Sequence, residues 1–187
     1  MSIPQHIHNN IWVVNNFISK DESSSIVNFV SGVIEKWEQP IIYKESRNGF
    51  VGIVDKRLSD YGLHEYYLSD LKNAIHNLVE NTFKTKLKIA SYHAMRWEPG
   101  QDSVPHVDTD NYDDNVYAFP QNKYSAVLYL NEDFQGGELY FPQHGIDIIP
   151  ESGKLVFFPG DHTNIHGIAN MVDGYRFNFV YFLDEDE

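Results

Sequence analysis

The chain contains no cysteine in its 187 residues, so disulfide frameworks, thiolate-bound zinc, iron–sulfur clusters and thiol nucleophiles are excluded from its chemistry. A bound metal therefore has to use His, Asp or Glu. Basic residues are also scarce, 14 Lys and Arg against 27 Asp and Glu, and the net charge of −13 opposes attraction to phosphate backbones. A nucleic-acid partner is not expected. The N-terminus MSIPQHIHNNIWVVNN lacks the basic start and continuous apolar run of a signal peptide, and no later run is long enough to cross a bilayer. The expectation is a cytoplasmic protein without a membrane partner. Aromatic residues are plentiful, at 14% of the chain, and this suits strands with many half-buried positions.

The length fits one domain, residues 1–187, with one substantial core. Residues 1–85 read as helical support and 86–183 as the core. A short apolar strand from Ile11 to Phe17 precedes Ser19-Lys20-Asp21-Glu22, where Ser and Glu have the spacing of a capping box. From there Ile26, Phe29, Val30, Val33, Ile34 and Trp37 form one helical stripe that Pro40 ends. A second helix is expected over Leu63 to Phe83, burying Leu71, Ile75, Leu78 and Val79. Tyr43 to Arg57 reads as strand and loop. Beyond about Leu87 the pattern changes to short strands punctuated by turns, expected at Leu87–Trp97, Ser125–Leu130, Glu138–Phe141, Ile146–Ile149, Lys154–Phe158 and Tyr175–Leu183. The fold class is mainly β, a sandwich or barrel backed by two N-terminal helices. Asp184–Glu187 reads as a frayed acidic tail.

His106-Val107-Asp108 is the first candidate site. In an extended strand, residues two apart point to one side, so these two side chains can share a metal. By itself such a triplet is weak, because His beside Asp is commonly a surface hydrogen bond. The C-terminal segment Gly153-Lys154-Leu155-Val156-Phe157-Phe158-Pro159-Gly160 to His166 adds a buried strand, a turn and a further His. Two His and one carboxylate make the facial triad of non-haem iron(II) oxygenases. The following strand, Tyr175 to Phe182, is mostly aromatic and should be covered on both faces, so its Arg176 needs an anionic partner. A guanidinium offers a rigid fork for a carboxylate.

Several words along this stretch match one family: Trp97-Glu98-Pro99-Gly100-Gln101, Pro105-His106-Val107-Asp108, Leu128-Tyr129-Leu130-Asn131-Glu132, Gly136-Gly137-Glu138-Leu139, Phe157-Phe158-Pro159, His166-Gly167 and Gly174-Tyr175-Arg176. The ordered set, from Leu87 to Leu183, resembles the prolyl 4-hydroxylase-like branch of the 2-oxoglutarate/iron(II) oxygenases. The resemblance implies a double-stranded β-helix, or jelly roll, with iron(II) on His106, Asp108 and His166. It implies that Arg176 pairs with the far carboxylate of 2-oxoglutarate and that the Tyr129 hydroxyl reaches the same group. Relatives usually place Tyr nine positions before the first iron ligand; here Trp97 takes that cosubstrate position with one N–H and a larger ring. The implied enzyme is a dioxygenase that hydroxylates a C–H bond with dioxygen and 2-oxoglutarate, ascorbate accompanying the iron. The expected partner is a peptide or protein, at a prolyl or other residue, with a small molecule as the alternative.

The other candidates have plainer readings. His162 fits the family's spacing to Arg176 less well than His166 and reads as a turn residue. His93 shares a strand face with Met95 and Trp97, as a pocket or packing residue. His6, His8, His64, His76 and His144 have no paired ligand and read as solvent-facing. Gly136-Gly137 is a hairpin turn, not a phosphate cradle. Asp110 to Asn122 reads as a mobile flap, lacking the Gly and terminal Glu of a calcium loop. A nucleic-acid demethylase is disfavoured because Phe182 stands where that motif needs Arg, and a halogenase because Asp108 supplies the carboxylate. A non-catalytic jelly-roll binding module is the reading from another class.

Overall fold

The N-terminal capping box forms as spelled: Glu22 N–H donates to Ser19 Oγ at 3.2 Å and Ser19 N–H to Glu22 Oε2 at 3.0 Å. It opens helix α1, Lys20–Ile34. The computed structural model describes residues 3–34, 41–42, 51–54, 69–109 and 119–186. The helix stop at Trp37 and Pro40, and most of the Tyr43–Arg57 segment, lie outside the described residues. Helix α2 runs Leu71–Phe83 and buries Leu71, Ile75 and Val79 on one stripe; the expected start at Leu63 also lies outside them.

Fourteen strands are described: β1 Gln5–His8, β2 Ile11–Val14, β3 Ile41–Ile42, β4 Val51–Val54, β5 Leu87–Trp97, β6 Ser103–His106, β7 Tyr124–Tyr129, β8 Gln135–Gly136, β9 Leu139–Phe141, β10 Ile146–Ile148, β11 Leu155–Pro159, β12 His166–Ile168, β13 Met171–Asp173 and β14 Arg176–Glu185. They pair antiparallel into an eight-stranded sheet ordered β1-β2-β11-β7-β14-β5-β4-β3, a four-stranded sheet β10-β9-β12-β6 and a small β13-β8 ribbon. This is the mainly β, jelly-roll architecture, with both described helices on the N-terminal side of the sequence.

Strand parity divides the large sheet into two faces. On β11, Leu155 and Phe157 join Ile26, Val30, Ile75 and Val79 beneath the helices, whereas Val156 and Phe158 join Leu139, Phe141 and Ile148 of the smaller sheet. Covered on both sides, this strand reads as a continuous apolar run. The same rule acts on β14, where Phe177, Phe179, Tyr181 and Leu183 pack toward the helices. Arg176, Asn178, Val180 and Phe182 thereby face the smaller sheet. Through Asp186 the acidic end is not frayed: β14 continues to Glu185 opposite Leu87, and Asp186 N–H donates to Lys86 O at 2.9 Å.

Candidate metal and cosubstrate site

His106 is the last residue of β6 and lies directly opposite His166, the first of β12. Pairing these strands brings the two imidazoles to 4.5 Å between ring centroids. Asp108 is placed differently from the extended-strand expectation, because β6 ends at His106 and the carboxylate sits in the bend beyond it. The large sheet holds that bend. Asp108 N–H donates to Gly160 O at 2.9 Å, just past β11, and the Ser125 hydroxyl of β7 donates to Asp108 Oδ2. Asn122 is buried and donates to Asp108 O at 3.2 Å. Phe119 and Asn122, at the end of the expected flap, are held in place, since Phe119 N–H is also bonded to Thr109 O; residues 110–118 of that segment lie outside the described residues.

His106, Asp108 and His166 form the one group of three or more possible metal ligands among the described residues, their ligand atoms all within 4.8 Å of one another. Asp108 stands 3.6 Å from His106 Nε2 and 3.4 Å from His166 Nε2, farther than a good N–H···O hydrogen bond. Both imidazoles are oriented from behind. His166 Nδ1 lies 3.0 Å from Asn164 O and His106 Nδ1 2.9 Å from Val104 O. A carbonyl only accepts, so each Nδ1 carries a proton and each Nε2 is the ring atom that faces Asp108. Burial pushes the Asp108 carboxyl up, but His166, His106 and the Ser125 hydroxyl together outweigh it and hold the group well below the usual carboxylate range. It is an anion at neutral pH.

Arg176 opens β14 opposite Trp97 of β5, and Tyr129 pairs with Asn178 on the other side. The guanidinium is wholly buried, 5.0 Å from the centre of the Trp97 ring and 5.5 Å from that of Tyr129. It donates to Gly137 O and, at 3.2 Å, to Asn178 Oδ1. Its Nε has no partner, and no ion pair of Arg176 is found among the described residues. Burial draws it down to about 10, while Tyr129 and Glu138 act to raise it, so it stays cationic at neutral pH. Burial likewise drives the Tyr129 phenol up to about 12, against the pull of Arg176, which leaves it protonated. Gly137 is required here. Its φ is +72°, and a Cβ would come within 2.4 Å of Met171 Sδ and 3.4 Å of Arg176 Cδ.

A family model for the 2OG-Fe(II) oxygenase superfamily matches residues 88–184, just over half of the chain. The chain belongs to the 2OG-Fe(II) oxygenase superfamily. Among curated proteins it is similar to mouse prolyl 3-hydroxylase 3, at 38% identity over 64 residues, and to chicken prolyl 3-hydroxylase 1, at 36% over 64 residues. Each match takes in 32% of this chain and only 9% of the relative's length. Among solved structures it resembles a Pseudomonas putida prolyl-4-hydroxylase, with TM-score 0.69, 20% identity and coverage of 96% of this chain and 94% of that one. A viral collagen prolyl hydroxylase from Paramecium Bursaria Chlorella virus-1 gives TM-score 0.68 at 17% identity, covering 95% and 97%. A Trichoplax adhaerens prolyl hydroxylase, solved with a hypoxia inducible factor peptide fragment, gives 0.72 at 16%, covering 95% and 84%. These structures share the fold.

Membership implies iron(II) and 2-oxoglutarate, and the residues present suit both. Two imidazole lone pairs and one carboxylate, with no sulfur, are the donor set that non-haem iron(II) takes. A buried guanidinium whose Nε has no hydrogen-bond partner, and which makes no ion pair among the described residues, suits a carboxylate.

The remaining histidines divide. His162 lies exposed in the short 3-10 turn His162–Asn164, as its spacing indicated. His93 faces Val180 across β5 and β14, its ring 5.7 Å from Phe182. His6 and His8 are exposed, but His76 and His144 are half-buried: His76 Nε2 reaches Leu87 O at 2.6 Å and His144 Nε2 reaches Thr163 O at 2.9 Å. His64 lies outside the described residues. Sequence reasoning missed Ser125 and Asn178, the partners of Asp108 and Arg176. Parity could have found both, since Ser125 sits four residues before Tyr129 on one strand face and Asn178 two after Arg176. The backbone carbonyls of Val104, Asn164 and Gly137 carry no side-chain signal.

Proposed function

We propose that this chain is a 2-oxoglutarate- and iron(II)-dependent dioxygenase that hydroxylates a prolyl or other residue of a polypeptide. His106, Asp108 and His166 hold the iron, Arg176 holds the far carboxylate of 2-oxoglutarate, Tyr129 donates its hydroxyl to that carboxylate, and Trp97 flanks it. The observation that carries the reading is the buried guanidinium of Arg176, with a partnerless Nε and no ion pair among the described residues, on the same sheet face as the Ser125 hydroxyl that holds Asp108. The overall reaction consumes a substrate C–H bond, dioxygen and 2-oxoglutarate, and yields C–OH, succinate and carbon dioxide. Iron(II), when bound, supplies the redox chemistry. Ascorbate serves as the reductant that keeps it ferrous.

The protein's own residues prepare that chemistry. The two Nδ1–H···O=C bonds fix the imidazole tautomers before any metal arrives, and Asp108 adds one negative charge held in place by Ser125 and Gly160. The cosubstrate carboxylate replaces water-free guanidinium burial with a charge-assisted pair. Trp97 and Tyr129 cover the guanidinium faces, which keeps that pair out of water and strengthens it.

A polypeptide substrate is supported by the prolyl hydroxylases that the chain resembles. The net charge of −13 speaks against nucleic acid, and no helix among the described residues is long and apolar enough to cross a membrane. We place the protein in the cytoplasm, as a single domain over residues 1–187. The test is mass spectrometry of proline-containing peptides incubated with the protein, iron(II), 2-oxoglutarate and ascorbate. A gain of one oxygen on a peptide, with matching succinate, is expected. Succinate formation that no peptide stimulates would leave the oxygenase and discard the polypeptide substrate.

A further inference from the structure

We infer that Asn9 and His144 are positioning residues for the distal histidine: they clamp the short turn that presents His166, and so set metal affinity from outside the site. This rests on the reading that His166 is an iron ligand. The turn His162–Asn164 leads directly into β12, and its last residue supplies the carbonyl, Asn164 O, that accepts from His166 Nδ1 at 3.0 Å. Orientation of that carbonyl therefore sets the direction of the Nε2 lone pair.

Two remote side chains converge on the neighbouring carbonyl. Asn9 Nδ2 donates to Thr163 O at 2.9 Å, from the turn joining β1 and β2 at the edge of the large sheet. His144 Nε2 lies 2.9 Å from the same oxygen, from the turn joining β9 and β10 of the smaller sheet. Because a carbonyl oxygen only accepts, His144 donates here. The two donors stand 3.3 Å apart. A third strap comes from Gln143, whose Oε1 accepts from Ile165 N–H at 3.4 Å. Asn164 itself is fully buried, and with its amide oriented to satisfy both ends it donates to Asn9 O at 3.2 Å.

Asn9 is built for this. It holds φ at +42°, a conformation that Asn tolerates better than other residues with a Cβ. Both sheets thus grip one peptide unit, and the turn cannot rotate without breaking bonds to each. Folding the same residues merely to stabilise a surface turn would not require that the gripped unit be the one adjoining the His166 acceptor.

The test uses Asn9→Gly, which keeps the positive φ without strain and removes only the amide, and His144→Phe, which keeps a ring against Phe141. Cobalt(II) titration of the full chain, followed by its ligand-field absorption, should show about tenfold weaker binding in the double variant, in the range seen for outer partners of metal-bound histidines. Each single variant should lose less, with the two losses coupled. In the metal-free protein, nitrogen-15 NMR of histidine should report His166 as the Nδ1–H tautomer in the wild type and a mixture in the double variant. Unchanged cobalt affinity together with an unchanged tautomer, even with a lowered melting temperature, overturns the inference and leaves a purely structural clamp. Failure of the wild type to bind cobalt would instead strike the iron assignment, and the metal-free tautomer would still decide this one.

Discussion

Arg176→Met separates a functional arginine from a structural one, because the two roles predict opposite balances of stability and binding. The guanidinium is fully buried, its Nε has no partner, and burial draws it from 12.5 down to about 10. At about 1.4 kcal/mol for each tenfold change in proton affinity, that disfavours the charged form by about 3 kcal/mol. Against this stand two hydrogen bonds, to Gly137 O and Asn178 Oδ1, worth roughly 1–3 kcal/mol each. Methionine fills similar volume without charge, so the two effects nearly cancel and unfolding stability should change by under about 2 kcal/mol. Cosubstrate binding has no such compensation. Two charge-assisted bonds at roughly 1.5–3 kcal/mol each disappear, so 2-oxoglutarate affinity should fall by about a hundredfold to ten-thousandfold. Urea unfolding of the metal-free variant gives the first quantity. Isothermal titration of 2-oxoglutarate into manganese-loaded anaerobic protein gives the second. A loss of more than about 3 kcal/mol in stability, beside unaltered cosubstrate affinity, would refute the assignment and make Arg176 a structural residue.

Asp108→Ala leaves two neutral imidazoles, and iron content and succinate production should both collapse while circular dichroism stays native; wild-type turnover in this variant would remove the metal assignment. Gly167→Ala places a Cβ 2.5 Å from the Tyr140 ring and 2.6 Å from Ser103 O, so β6 must move away from β12. The expected result is about 1–3 kcal/mol lower stability together with weaker metal binding, read by thermal melts with and without manganese. Trp97→Leu removes the ring 5.0 Å from the guanidinium, a contact worth about 2 kcal/mol when desolvated, and 2-oxoglutarate affinity should fall by about tenfold or more. A Leu variant that binds the cosubstrate as tightly as the wild type would show that the ring only fills space.

Period and punctuation made the scaffold legible. The Ser19 and Glu22 capping box, the full span of β5 and the double-sided burial of β11 are local signals that nothing in the tertiary structure overrides. What stayed hidden is short or held from elsewhere. β6, β12 and β13 have three or four residues each, too few for a period to show. The Asp108 bend has no local cause, because its bonds come from Gly160, Ser125 and Asn122, between 14 and 52 positions away. An acidic stretch therefore read as a flap through Asn122, although Asn122 is buried against Asp108. The half-burial of His76 and His144 was hidden for the same reason, since each bonds to a carbonyl on another element.

The site straddles two sheets, and this decides how it is held. His106 and His166 belong to the smaller sheet, whereas Arg176, Tyr129, Trp97 and Ser125 belong to the larger one. Asp108 is tied to both, by chain continuity with β6 and by hydrogen bonds to Gly160 and Ser125. The separation of Arg176 from the His106, Asp108 and His166 group therefore follows from the packing between the sheets. That packing reaches the site directly: Phe158 of the large sheet meets Phe141 of the smaller one edge-on at 5.0 Å, and both rings lie against His166, at 4.7 and 5.8 Å. Interiors packed this closely transmit small volume changes rather than absorb them. The aromatic layer that stabilises the sandwich is thus also the wall that fixes the His166 ring, while its Nδ1 bond fixes the direction of the lone pair.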